Sequence, residues 1–398
     1  MTRMLPRRWA VPAWIGAIGV ALWCLVDTAE APRGWVVTQW LFSWEYGFVK
    51  RGFPGEIVRW LEPHRDHLTL AAAGILTTAA GVLALVVRFL GSLRGALRHP
   101  GAPVFAAFTL AHFATIPNMV ADAGRFDHIG VAAFVAALAL ISACTERNRS
   151  PGPFLLPMLV AGLLTHEAWL FIFIPSIFAA WWFASADRGS EARGFDFWIP
   201  GVGAAVLIVL GFIARFGSMS TMDLPEHHEK LRSGVDFSVD LASLRVLHDP
   251  LRDTVEHTWR YLRHVETLWD HLILLVAFMP TIALVVMAAG AAARLDAPGG
   301  RLRRRIIVLA PLTSLALYPI GHDFVRWLAL AALISLVLIA WRMRVPEVRD
   351  AVLRVFARFW WLAVISVVIT VVMGEVGIYY AFPARFIESW LESPRAFR

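Results

Sequence analysis

The chain reads as an all-α, polytopic transmembrane helix bundle, and three observations predict it. Of its 398 residues 58% are hydrophobic, and the mean hydropathy is +0.61. Apolar runs recur along the whole length, separated by short polar segments. Arginine collects in alternate segments. This composition excludes an ordinary soluble domain. A bilayer core offers no water to backbone groups, so the runs must cross as helices. About eleven spans result, at about 9–26, 68–90, 102–120, 128–145, 153–166, 168–185, 197–214, 271–293, 306–321, 324–341 and 359–380. The chain, 1–398, is then a single integral membrane domain.

The first run, Trp9 to Val26, follows Arg3, Arg7 and Arg8 and precedes Ala29-Glu30-Ala31, which imitates a signal-peptide cleavage site. It is long and carries Trp14 and Trp23, so it reads as a retained helix. Phe154 to Phe183 is too long for one helix and reads as two short ones. That choice puts the run from Arg301 to Arg305 on the arginine-rich side. The same side holds Arg88, Arg94 and Arg98, then Arg147 and Arg149, then Arg188 and Arg193, then Arg342, Arg344, Arg349, Arg354 and Arg358. The opposite short loops carry only Arg125 and Arg326. Basic residues mark cytoplasmic loops, so the N-terminus is predicted inside and the C-terminus outside.

Two outer loops are long, 27–66 and 215–270. Loops of this length are usually functional. The first begins with an aromatic stretch suited to an interfacial helix, breaks between Tyr46 and Gly55, and restarts at Pro54 as a second short helix to about Leu61. The second has the mixed pattern of amphipathic helices. The net charge of +7 comes from 37 basic residues, of which only Lys50 and Lys230 are lysine. No basic run interleaves with aromatics in a soluble module, which argues against nucleic acid as a partner. Cys24 and Cys144 fall in separate spans and read as small buried hydrophobes.

Ionisable residues at membrane depth are costly and point to function. Once the spans are threaded, every such cluster falls at the outer face. Glu45 and the pair Lys50-Arg51 flank the break in the first loop, a carboxylate beside paired cations. Asp122, Arg125 and Asp127 share a tight turn, and their carboxylates suit an ion pair, sugar hydroxyls or a divalent cation. His166-Glu167 interrupts an otherwise apolar run and could orient a catalytic imidazole. His322, Asp323 and Arg326 join the ninth and tenth spans, and the guanidinium suits a phosphate. Glu375 is one acid deep in the last span. Pro225 to Lys230 looks metal-like but sits in a solvated loop without fixed geometry.

The layout resembles polytopic glycosyltransferases of the GT-C superfamily. The shared features are an inside N-terminus, about eleven spans, and a first outer loop with interfacial helices and an acid, here Asp27 or Glu45. The spacing Glu45-Tyr46-Gly47 to Lys50-Arg51-Gly52, with His166-Glu167 and His322-Asp323 to Arg326, is also similar to uncharacterised membrane proteins of bacterial surface-polysaccharide loci. Asp27 has Thr28 beside it and Glu45 has Tyr46, where the superfamily often pairs two acids.

The resemblance implies a multi-pass protein of the bacterial inner membrane, with a site facing outside. Its partners would be a lipid-linked sugar donor, a glycan or lipid acceptor and membrane lipids. The reaction would be glycosyl transfer from a polyprenyl-phosphate sugar. Glu45, or failing that Asp122 or Asp127, would take the acceptor proton. Lys50, Arg51, Arg125 and Arg326 would stabilise the leaving phosphate. His166 with Glu167 and His322 with Asp323 would orient sugar or hold an optional divalent cation. An O-antigen or exopolysaccharide polymerase is an alternative of the same class. A membrane transporter or flippase is the alternative of another class, although no internal repeat is visible.

Overall fold

The computed structural model describes residues 7–62, 65–185, 193–219, 221–249, 251–263, 265–294, 300–319 and 323–373, and all regular structure among them is helical. Seven segments are long and apolar enough to cross a membrane: Val11–Thr28, His67–Ser92, Gly101–Ala121, Phe126–Glu146, Phe197–Phe216, Leu274–Ala293 and Phe324–Arg342. Each coincides with one of the expected runs. Pro346–Arg358 and Trp360–Thr370 together would make an eighth, bent by 70°.

Small residues let the central helices approach closely. A Cβ on Gly74 would sit 2.9 Å from Gly124 Cα, and one on Gly81 would reach within 3.0 Å of the His128 carbonyl oxygen. His67–Ser92 therefore lies tightly against the turn and helix that begin at Gly124, as small residues allow in membrane bundles. Its start is capped by Asp66, whose side chain accepts the Thr69 N–H.

The 101–121 segment is broken. The helix Gly101–Ala111 stops at His112 and resumes as Ile116–Ala121. The freed backbone groups are met by side chains, as a break at membrane depth requires. His112 Nδ1 accepts the Ala114 N–H at 3.0 Å, which leaves the ring proton on Nε2, 2.8 Å from Thr281 Oγ1. Thr370 Oγ1 accepts the Phe113 N–H at 3.0 Å.

The 152–185 stretch folds as Gly152–Thr165, a single turn Trp169–Ile172, and Ile174–Ser185. The contacts of its ends fix their direction. Gly152 lies against Trp198, at the start of the 193–216 helix. At the other ends, Glu167 meets Arg51 and the Gly217 carbonyl accepts the Lys50 N–H at 2.8 Å. The 152–165 and 193–216 helices thus run parallel and pack on each other, and the 169–185 stretch that joins them in sequence runs back in the opposite direction. The chain reverses at His166–Ala168, where Trp169 packs over Gly162. The expected run at 306–321 is also divided, into Gly300–Leu309 and a 3-10 segment Ala310–Leu317 that begins beside Pro311.

One end of the bundle is rich in arginine. Arg88 donates to the Ala340 carbonyl at 3.1 Å, Trp341 Nε1 and Arg344 both donate to Ser142 Oγ, and the Arg342 guanidinium lies 4.2 Å from the Phe183 ring. These residues close the 67–92, 126–146, 174–185 and 324–342 helices. The acid-bearing segments lie at the opposite ends of those helices.

The two long loops, 27–66 and 215–270, pack on each other. The first holds helices Gly34–Gln39 and Gly52–Leu61, and the second holds Leu224–Ser233, Leu241–His248 and Leu251–Leu262. Val36, Val37, Trp40, Leu41 and Phe42 of the first share a buried apolar cluster with Leu231, Leu244 and Leu247 of the second.

Candidate functional site

Arg51 begins the site. It lies in the left-handed region, φ 63°, immediately before the helix Gly52–Leu61. The first loop reaches this turn because Gly55 packs directly on the Phe42 carbonyl, where a Cβ would overlap the oxygen. The Arg51 guanidinium then meets Glu167 through two nitrogens, with contacts of 2.5, 2.9 and 3.1 Å. This is the fork geometry that suits arginine to a carboxylate. Residues 116 apart in sequence are joined at the helix reversal.

His166 is held by the same reversal. Its Nδ1 accepts the Ala168 N–H at 3.1 Å. That bond fixes the neutral ring with its proton on Nε2, so His166 acts as a donor rather than a base.

The second group forms where three helix ends meet. Asp122 follows Ile116–Ala121, Arg125 and Asp127 open Phe126–Glu146, and Asp323 and Arg326 open Phe324–Arg342. Arg125 lies 3.0 Å from Asp122, 3.4 Å from Asp323 and 3.7 Å from Asp127. Arg326 lies 2.9 Å from Asp323 and 3.5 Å from Asp127. The Trp35 ring covers Arg125 at 4.6 Å. Asp122, Arg125, Asp127 and Arg326 are all buried. Arg51 feels the charges of both Asp127 and Arg125, which ties the two groups into one site.

Four cations (Lys50, Arg51, Arg125, Arg326) face four carboxylates (Asp122, Asp127, Glu167, Asp323), so the site is formally balanced. Burying charge is tolerable only with such pairing. Two positions are nevertheless uncommitted. Asp127 Oδ1 is buried and has no hydrogen-bond partner among the described residues. Lys50 makes no ion pair among them, because Arg51 already occupies Glu167. Burial, aided by the neighbouring Arg51 charge, pulls the Lys50 ammonium below its ordinary value, while Glu167 and Asp249 work against that shift. A desolvated cation without a direct ion pair among the described residues is a ready seat for an anion.

Glu45 is elsewhere. It pairs with Arg65 at 3.0 Å and is one-third exposed. Among the acids of that loop, Glu56 is the buried one: it accepts the Trp44 N–H at 3.0 Å and binds Arg59. His322 and Glu375 lie outside the described residues. The run Pro225 to Lys230 is helical, and His227 Nδ1 meets His248 Nε2 at 3.0 Å. Among the described residues no set of three or more His, Cys, Asp or Glu could hold a metal ion. Asp127, Glu167 and Asp323 are each turned onto a guanidinium instead. Sequence reasoning missed one contact and one contributor. The sequence groups Trp35 with Trp40 and Trp44 in the first loop but does not indicate its place over Arg125, and Asp249 has no motif around it.

Comparison with protein-family models, curated proteins and solved structures finds no match to this chain.

Proposed function

We propose that this protein catalyses extracytoplasmic glycosyl transfer from a polyprenyl-phosphate-linked sugar during cell-surface polysaccharide assembly in a bacterial inner membrane. The observation that carries the reading is Asp127 Oδ1: a buried carboxylate oxygen without a hydrogen-bond partner among the described residues, on a carboxylate whose Oδ2 faces both Arg125 and Arg326. Such an oxygen suits the acceptance of a hydroxyl proton. Glu45, engaged by Arg65 outside the cluster, takes no part in this scheme.

As the acceptor oxygen bonds to the sugar carbon, the bond from that carbon to the phosphate oxygen breaks. The hydroxyl proton passes to Asp127. The phosphate leaves with the bonding electrons, and its growing charge is met by Lys50 and Arg51. The Nε2–H of His166 is positioned to donate to a sugar or phosphate oxygen. In this reading about eleven spans place the N-terminus inside and the C-terminus outside, with the arginine-rich end cytoplasmic. The site then opens on the extracytoplasmic side.

The test is the surface-glycan profile of strains carrying Asp127→Asn or Glu45→Gln, resolved by chain length. Asp127→Asn at normal expression should abolish the product, whereas Glu45→Gln should retain it. A wild-type profile with Asp127→Asn refutes the role of Asp127. Loss of one sugar from each repeat marks a transferase, and collapse of a ladder to one repeat marks a polymerase.

A further inference from the structure

At the arginine-rich end, a slot opens between three helices. It is a groove open along one side, and the roughly 340 Å³ of empty space along it includes space outside the helices. Ala289 and Ala292 of Val265–Arg294 form one wall, Ile307 and Pro311 another, and Leu338 of Phe324–Arg342 a third. Alanines on one wall leave a narrow groove whose lining is apolar apart from Ser335 and Arg342. Arg342 is the lining residue at its basic end, and its side chain is buried. Arg304 lies one turn before Ile307 and Val308, on the same face of its helix. Its Nε is buried and has no hydrogen-bond partner among the described residues.

From Ser335 to Arg342 the slot follows seven residues of helix, about 10 Å at 1.5 Å per residue. The long axis is thus mainly apolar, with Arg342 in the lining at one end and Arg304 one turn before the lining residues Ile307 and Val308. A ligand that matches both has an alkyl body and an anionic head. Sixteen residues of helix, about 24 Å, separate Arg326 from Arg342. The occupant is therefore distinct from any substrate of the carboxylate–arginine site.

We infer that this slot binds one acyl chain of an anionic phospholipid, with the lipid phosphate held by Arg342 and Arg304. Alkyl chains gain little by leaving bulk lipid for an apolar slot, so selectivity comes from the head. One to two arginines near a membrane surface correspond to about 5- to 30-fold preference over a zwitterionic lipid with the same chains.

Native mass spectrometry of the purified full chain, titrated with phosphatidylglycerol or phosphatidylcholine, tests this. Phosphatidylglycerol should bind preferentially in that range. Ala292→Phe fills the slot and should remove the preferred binding event. Ala289→Leu, at a half-buried wall position, serves the same purpose if the larger residue is not tolerated. Arg304→Gln should bind both lipids but lose most of the preference. Equal binding of the two lipids by the wild-type chain overturns the inference. So does undiminished phosphatidylglycerol binding after the slot is filled, which would leave only surface arginines. Displacement of the lipid by millimolar inorganic phosphate would reassign the site to a free anion.

Discussion

The Arg51–Glu167 pair is expected to be the strongest single tie between the 27–66 loop and the helix reversal, and a double-mutant cycle measures it. Glu167→Gln keeps the shape of the side chain but removes the charge that Arg51 grips through three contacts of 2.5 to 3.1 Å. Removing one partner of a fully buried pair costs roughly 3–5 kcal/mol, since the remaining charge stays desolvated. Here Arg51 is 16% exposed and Glu167 28%, so water recovers part of the loss. The expected cost is about 2 kcal/mol, between the buried and surface limits. Arg51→Gln alone should cost a similar amount. The double variant should be more stable than the sum of the two, by roughly 1–3 kcal/mol of coupling. Equilibrium unfolding in mixed micelles of the wild type, both single variants and the double variant supplies the four numbers. Additive effects within about 0.5 kcal/mol would refute the claim that the two side chains act as a unit.

Other expectations follow from the same structure. Gly55→Ala drives a Cβ into the Phe42 carbonyl oxygen, a backbone atom that cannot swing aside. It should destabilise the first loop by at least ~1–3 kcal/mol, measured as a lower Tm and lower yield of folded protein. His227 is pulled down to about 4, chiefly by burial and then by His248, with Lys230 adding to it. His248 is lowered by burial, with Asp249 and Asp223 opposing. A histidine held neutral in the fold contributes stability that is complete above its ordinary value near 6.5 and is lost as pH falls toward 4. Limited proteolysis of the 215–270 loop should therefore accelerate across that window, and His248→Gln should flatten the dependence. A pH-independent digestion rate in the wild type would rule out the pair as a latch.

The helices were legible because hydropathy is a property of each run by itself. His166-Glu167 announced a break for the same reason: two polar residues cannot continue an apolar span without cost. Pairings across the chain were not legible. Nothing near Arg51 indicates that its partner is Glu167, and nothing near Asp127 indicates that Arg326 shares it with Arg125. Glu45 drew attention because it adjoins a Gly-rich break beside Lys50-Arg51, yet Arg65, twenty residues on, takes it. Local chemistry nominates charged residues; the tertiary fold decides which nominee keeps a free lone pair. The 306–321 run shows the complementary difficulty, since its hydropathy carries no sign that the helix tightens to 3-10 after Leu309.

The short helix that ends at the reversal has a consequence for depth. Gly152–Thr165 has 14 residues, about 21 Å at 1.5 Å each, against a hydrocarbon layer of about 30 Å. With its start at one boundary, its end stops about 9 Å short of the other. Glu167, Arg51 and the carboxylates tied to them then lie below the surface of the layer. A water-borne molecule would have to descend to them. A molecule anchored by its own hydrocarbon tail already carries its polar head close to that level and can approach sideways, through the lipid.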